Sequence, residues 1–209
     1  MEKTQFLERI REKLGDAPRL DAAIPADWAV EIERPDERFG REVAAVDGSF
    51  YRAPGPGAAG VLGRILEGRA GQTVLVTGEE GLPSGLEEAV AAARCRLLRW
   101  PEAGRDGAAA AHVGVTSALW AVAETGTVVV SSAPPSGRAP SLLPPVHVTF
   151  VPADRLLGTT AELFRRMQGL HELPSNVVLV TGPSKSADIG MELALGVHGP
   201  GEEHVILVE

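Results

Sequence analysis

Residues 176–200 read NVVLV followed by TGPSKSADIGMELALGVHGP, and the fold turns on how this stretch is read. Asn176–Val180 is a β-branched run with the pattern of a strand buried on both faces. It runs into Gly182-Pro183-Ser184-Lys185-Ser186, a turn of small residues around one cation. Asp188 follows, then an Ala/Leu/Met-rich segment ended by Gly196. His198-Gly199-Pro200 closes the stretch, and Val205–Val208 reads as a final strand. A strand delivering such a turn brings backbone N–H groups and a side-chain charge to the carboxyl-terminal edge of a sheet, which suits a carboxylate or phosphate. Gly and Pro after a strand also serve as plain turn chemistry. Cation usage favours the first reading: the chain has 17 Arg but three Lys, and Lys185 is the one Lys beyond residue 13. A compact point charge suits a tight turn better than a guanidinium.

Composition narrows the classes. A chain of 209 residues that is 44% hydrophobic can bury one sizeable core. Net charge is −8 and aromatics are 4%, with no basic run. Binding to a phosphate backbone needs clustered Lys and Arg, so nucleic acid is not an expected partner. Cys95 is the single cysteine, which excludes an intramolecular disulfide and a four-cysteine zinc or iron–sulfur site made by this chain. Its neighbours Ala92, Ala93, Leu97 and Leu98 suit a packed thiol. No basic-then-apolar leader opens the sequence, and no apolar run nears the roughly 20 residues that span a bilayer. The expected location is the cytoplasm.

Outward from the decisive stretch, residues 1–46 read as a helical arm and linker, and residues 47–209 as an α/β domain. Thr4 is placed to cap a helix through Leu14 with Phe6, Leu7, Ile10 and Leu14 on one face. Pro18 and Pro25 break the pattern, and a second helix is expected over Pro35–Val46. Gly55-Pro56-Gly57-Ala58-Ala59-Gly60 matches G-x-G-x-x-G, but the polar Ser49–Ala53 before it does not read as the buried strand a dinucleotide fingerprint needs. Thr73–Val76 reads as a strand, followed by a helix with a capping box from Ser84 to Glu87 and by a strand over Leu97–Trp100. Gly104–Ala111 reads as a small-residue loop. Strand–helix–strand order predicts an open, mainly parallel sheet flanked by helices.

Val113–Ser132, VGVTSALWAVAETGTVVVSS, carries Glu124 between apolar neighbours. Such an acid is either a hydrogen-bonded structural carboxylate or a base, nucleophile or ligand contact; Thr125 and Gly126 belong to the same turn. Ala133–Pro145 is long for an idle connector, and its Arg138 is either an anion clamp or a solvated cation. His147 opens a strand beside that loop, in a structural or a binding role. Thr159 and Glu162 cap the next helix, with Leu163, Phe164, Met167 and Leu170 expected inward. The five His have no metal-binding spacing, and neither a nucleophile elbow nor a Walker A loop is present.

Four segments in order, AETGT at Ala123–Thr127, LLPPVH at Leu142–His147, GPSKSADI at Gly182–Ile189 and GVHGP at Gly196–Pro200, resemble the lactate utilization protein C family, also described as the LUD domain. The resemblance is strong over about residues 113–208. It implies a fold similar to the sugar isomerase/CoA-transferase superfamily. It also implies a role in oxidising L-lactate to pyruvate beside iron–sulfur partner proteins, with the clusters in those partners and no cofactor bound by this chain. The candidate site residues read from the sequence are Glu124, Thr125, Gly126, Arg138, His147, Gly182, Ser184, Lys185, Ser186, Asp188 and His198, around a small carboxylate or phosphorylated ligand. The alternative is a stand-alone enzyme, like a CoA-transferase or phosphosugar isomerase, that uses Glu124 as nucleophile.

Overall fold

The computed structural model describes residues 3–15, 31–77, 80–133, 137–170, 174–186 and 194–209. Its strands are β1 (Ser49–Ala53), β2 (Thr73–Val76), β3 (Arg96–Arg99), β4 (Val113–Ser117), β5 (Trp120–Val122) and β6 (Thr127–Ser131). They continue with β7 (Val146–Pro152), β8 (Leu156–Leu157), β9 (Val177–Val180), β10 (Lys185–Ser186), β11 (Ala194–Leu195) and β12 (Glu202–Val208). The helices are α1 (Lys3–Leu14), α2 (Pro35–Ala45), α3 (Ala58–Ile65), α4 (Leu86–Ala92), α5 (Gly104–Ala109), α6 (Ala139–Leu142) and α7 (Thr160–Gln168).

Six strands form one sheet in the order β1-β12-β7-β4-β2-β3, and every neighbouring pair is parallel. A parallel sheet must be covered on both faces, which is why β2 and β4 are buried along their whole length. On one face α3 and α4 lay Val61, Leu62, Leu86 and Val90 against Val74, Val113, Val148 and Phe150. On the other, Phe39 and Val43 of α2 meet Ala121 and Val128, above Val151, Val205 and Leu207. Ala121 and Val128 belong to a second sheet, β8-β5-β6-β9, whose outer face is covered by Leu163 of α7. Thr159 caps α7 as the sequence predicts: its hydroxyl accepts from Glu162 N at 3.2 Å, while Glu162 Oε2 accepts from Gly158 N at 3.0 Å. No helix among the described residues is long and apolar enough to cross a membrane.

Several local expectations need correction. Asn176–Val180 is not a doubly buried strand: β9 pairs with β6 alone among the described strands, at the rim of the smaller sheet, and Leu179 is 44% exposed. Phe164 of α7 likewise faces outward, at 45% exposed. Ser49–Ala53 does form a strand, because its pairing with β12 compensates for its polar sequence. The glycine run therefore does follow a strand and open a helix. It still does no fingerprint work, since β1 is an edge strand, none of Gly55, Gly57 or Gly60 has a positive φ, and a side chain at Gly60 would meet open space. Helix α4 starts from Gly85 at φ +81° with no side-chain cap, so the Ser84–Glu87 box is not formed. Residues 104–109 are helical rather than loop, and Thr4 lies inside α1. Asp188 and the Ala/Leu/Met-rich segment around it lie outside the described residues.

Candidate functional site

The GPSKS turn leaves β9 and reaches the end of α2. Gly182 has φ +75°, and a Cβ there would sit 2.6 Å from the Val46 carbonyl oxygen, so the turn requires glycine twice over. Lys185 Nζ donates to Val46 O at 3.1 Å and to Asp47 Oδ2 at 2.6 Å. A cation at a helix carboxyl end complements the helix dipole. Ser184 N donates to Pro200 O at 2.8 Å, Gly196 N to Ser184 O at 2.9 Å, and Gly201 N to Pro145 O at 2.9 Å. Three separated segments, LPPVH, GPSKS and GVHGP, thus gather where β1, β7 and β12 begin. That is the amino-terminal edge of the main sheet, opposite to the edge the strand–turn reading predicts. β9 belongs to the second sheet, so its end obeys a different frame.

The AETGT turn leans on the same helix one turn earlier. Gly126 has φ +66°, and a Cβ there would lie 2.6 Å from both Glu42 C and Val43 N. A chain of hydroxyls joins the two turns: Thr125 to Thr127 at 2.7 Å, and Thr127 to Thr181 at 2.8 Å. The Glu124 side chain points elsewhere, its Oε2 accepting from Thr160 N at 2.9 Å and from the Thr160 hydroxyl at 3.1 Å. A carboxylate at this place caps the first turn of α7 and complements its dipole. Glu124→Ala is expected to cost about 0.5–2 kcal/mol of stability in urea denaturation, and Glu124→Gln less, since an acceptor oxygen remains. An unchanged midpoint for the alanine variant would show that the cap contributes nothing.

His147 is fully buried, with Nδ1 2.9 Å from Glu203 Oε2 and Nε2 2.9 Å from the Thr116 hydroxyl. Thr149 donates to Glu203 Oε1 at 3.3 Å. These four residues sit on neighbouring strands β4, β7 and β12 inside the core, so His147 touches no described opening. Glu203, missed by the sequence reading, completes the cluster; an acid opening a strand of apolar residues was the available signal. Arg138 is exposed at the start of α6, and His198 is exposed in the GVHGP turn. Burial pushes the Cys95 thiol up from its ordinary value, and Sγ donates to Arg69 O at 3.2 Å, as a packed thiol does.

A second, half-buried histidine was not singled out in the sequence. His204 Nδ1 lies 3.3 Å from the Tyr51 hydroxyl, and the rings stack with centroids 6.0 Å apart. Burial lowers its pKa from the ordinary 6.5, against the opposing pull of Glu202. The folded chain therefore binds fewer protons at this site than the unfolded chain. The resulting stability is fully present above 6.5 and is lost as pH falls through the depressed value. Denaturation midpoints should drop on acidification toward pH ~5, less so in His204→Gln; equal slopes in both would remove His204 as the cause.

At the carboxyl-terminal edge a groove of about 430 Å³ lies over the ends of β2 and β3, lined by Val76, Leu82, Pro83, Glu87, Glu88 and Arg99 among others. None of these residues was a sequence candidate, because their spacing carries no motif.

Comparison with known proteins gives consistent results. The LUD domain profile matches residues 38–208. The chain is similar to lactate utilization protein C of Geobacillus kaustophilus, 30% identical over 226 aligned residues covering 97% of this chain and 94% of that protein. A shorter match, 41% identical over 103 residues, is to lactate utilization protein C of Halalkalibacterium halodurans and spans 47% of this chain and 45% of the relative. The fold is similar to the crystal structure of a DUF162 family protein from Deinococcus radiodurans, with a TM-score of 0.61 at 19% identity, over 86% of this chain and all of that one.

Proposed function

The chain belongs to the LUD domain family, and from that premise we propose that it serves lactate utilization as a subunit working beside iron–sulfur proteins. The names of its relatives support the metabolic assignment. The chain's one cysteine, a half-buried packed thiol, does not fit the ligand set of an iron–sulfur cluster, so the clusters belong to the partners. The observation that supports the subunit reading over a CoA-transferase-like enzyme is the tie of Glu124 to Thr160. A nucleophilic carboxylate must reach an acyl carbon, whereas this one caps a helix.

The small anionic ligand is assigned to the amino-edge cluster, with Ser184, Lys185, Ser186 and His198 nearest it and Thr125 and Gly126 at its margin; Arg138 is not among them, since its neighbour Gly137 packs against Trp100, just past the carboxyl end of β3. Asp47 already pairs with Lys185, so an anion must compete with it. Lys185→Ala should weaken binding of lactate or pyruvate by about 1.5–3 kcal/mol, and Asp47→Asn should strengthen it; calorimetry in which neither moves would sink the assignment.

The subunit reading is tested by complementing L-lactate growth in a host lacking its own LUD protein, together with pull-down of cysteine-rich iron–sulfur proteins. The isolated chain should not reduce dye with lactate. Lactate oxidation by the isolated, metal-free chain at an enzyme-like rate, or a hydroxylamine-sensitive acyl adduct on Glu124, would overturn it.

A further inference from the structure

The groove over the carboxyl ends of β2 and β3 has no task yet, and it lies at the edge opposite to the cluster around Lys185. Thr77, the residue after β2, lines it. The Thr77 backbone N–H is engaged, donating to Val115 O at 3.1 Å, and on the β3 side Trp100 N donates to Val76 O at 2.9 Å. The hydroxyl is not engaged. Thr77 is 0% exposed, and its Oγ1 has no hydrogen-bond partner among the described residues. The chain beyond it is pinned by Gly81, at φ +96°, where a Cβ would lie 2.6 Å from Ser117 Oγ and 3.2 Å from Pro152 Cγ. Neighbouring strands thus flank Thr77 on both sides, and the groove is the side from which a partner can come. A buried hydroxyl without one is destabilising, and native folds keep few of them.

The rest of the lining says what kind of partner fits. Val76, Leu82 and Pro83 offer aliphatic surface, and Ser84 adds a second hydroxyl. Arg99 and Glu87 pair with each other, so their charges cancel. Glu88 adds a carboxylate that has no partner among the described residues. Hydroxyls and one unpaired carboxylate suit a ligand that brings hydrogen-bond donors and no negative charge. A phosphate or carboxylate would meet Glu88 with its charge uncompensated. The volume of about 430 Å³ is within the range of small-molecule sites and far more than lactate or pyruvate fills.

We propose that this groove is a second binding site, for an uncharged molecule that carries vicinal hydroxyls, with a nucleoside the size that fits. Thr77 supplies the deep hydrogen bond. Glu88 accepts from the hydroxyl pair, as an acid does from ribose in dinucleotide sites. The Thr77 hydroxyl is then kept for the ligand at the expense of the empty fold, a trade common among binding residues. The site stands apart from the anion assigned to the amino edge, and each can fail without the other.

The test rests on Thr77→Val, which keeps the shape and removes the hydroxyl. The empty variant should melt about 2–4 °C above wild type, because an unmatched buried group is gone. Thr116→Val is the contrast: its hydroxyl is bonded to His147 at 2.9 Å, so that variant should melt lower. Calorimetry then uses adenosine, uridine and D-ribose as probes, with adenosine 5′-monophosphate as the charged counterpart. A nucleoside should bind, and Thr77→Val should lose about 3–10-fold in affinity for it. The monophosphate should bind more weakly than adenosine, and Glu88→Gln should narrow that gap. Ribose binding as tightly as the nucleosides would keep the hydroxyl pair as the group recognised and make its source a free sugar. No binding by any of the three uncharged probes at millimolar concentration would overturn the proposal. So would unchanged affinity in Thr77→Val, a lower melting point for that variant, or tighter binding of the monophosphate than of adenosine.

Discussion

Glu203→Ala should be among the most damaging single substitutions in this chain, lowering unfolding free energy by about 3–5 kcal/mol. The carboxylate is the acceptor for both His147 and Thr149, in a place where neither has water to fall back on. Deleting it leaves the Nδ1 side of the buried imidazole and the buried Thr149 hydroxyl with only their mutual contact at 3.2–3.4 Å, and an under-satisfied buried group costs on the order of 1–3 kcal/mol. Natural domains hold only about 5–15 kcal/mol in total, so the variant should melt near or below ordinary growth temperatures. Removing both ends of the pair is a different experiment. His147→Leu combined with Glu203→Leu takes away the desolvation cost along with the contact and should recover most of the loss, as buried ion pairs replaced by apolar groups tend to do. Urea midpoints for the single and double variants check this. A Glu203→Ala shift under about 1 kcal/mol, the ordinary size of one net hydrogen bond, would show that the cluster is not the stabilising lock described.

Gly126→Ala should cost about 2–5 kcal/mol, combining a left-handed backbone penalty with overpacking. The methyl group would be driven to 2.6 Å from backbone atoms of Glu42 and Val43, and backbone inside a helix cannot rotate away as a side chain can. Either α2 shifts off the second sheet, exposing Phe39 and Val43, or the AETGT turn rises and breaks the Thr127–Thr181 hydroxyl contact. Thermal unfolding and proteolysis near α2 distinguish the two. A wild-type melting curve would mean that the turn does not bear on the helix. Gly60→Ala is the control, with open space and a helical position, and should be neutral or slightly stabilising.

The main sheet was legible because its buried strands are short β-branched runs, such as Thr73–Val76 and Val113–Val115, separated by helical periodicity. The second sheet was not, since β5 and β8 are three and two residues long and leave no period to count. β1 was missed because an edge strand needs no apolar face of its own. Phe164 and Leu179 were wrongly turned inward, because periodicity gives a face but not the extent of what covers it. For the candidate site, the sequence found the segments that meet but placed them on the wrong edge. Lys185 was singled out as an anion-binding charge, whereas in the structure it pairs with Asp47, 138 residues away, and no local pattern reports a contact of that range. His147 was a candidate by position alone; its burial depends on Thr116 and Glu203 from two other strands.

Among the described strands, the first of the sheet pairs with the last alone. β1 and β12 lie in register from Ser49 with His204 to Ala53 with Val208, and Gly55 and Glu209 extend the ladder at 3.0 Å. On a ribosome this order of pairing is a matter of time. At typical synthesis rates of about 5–20 residues per second, the ~150 residues between the two strands take roughly 8–30 s to make. Throughout that interval β1 emerges with no partner, and β7 lacks the neighbour that separates it from solvent. Closure of the sheet must therefore await emergence of residues 202–208 from the exit tunnel. A nascent chain stalled a few residues short of Glu202 should bind holdase chaperones and be cut readily by protease, while one extended by a linker long enough to clear the tunnel should resist both.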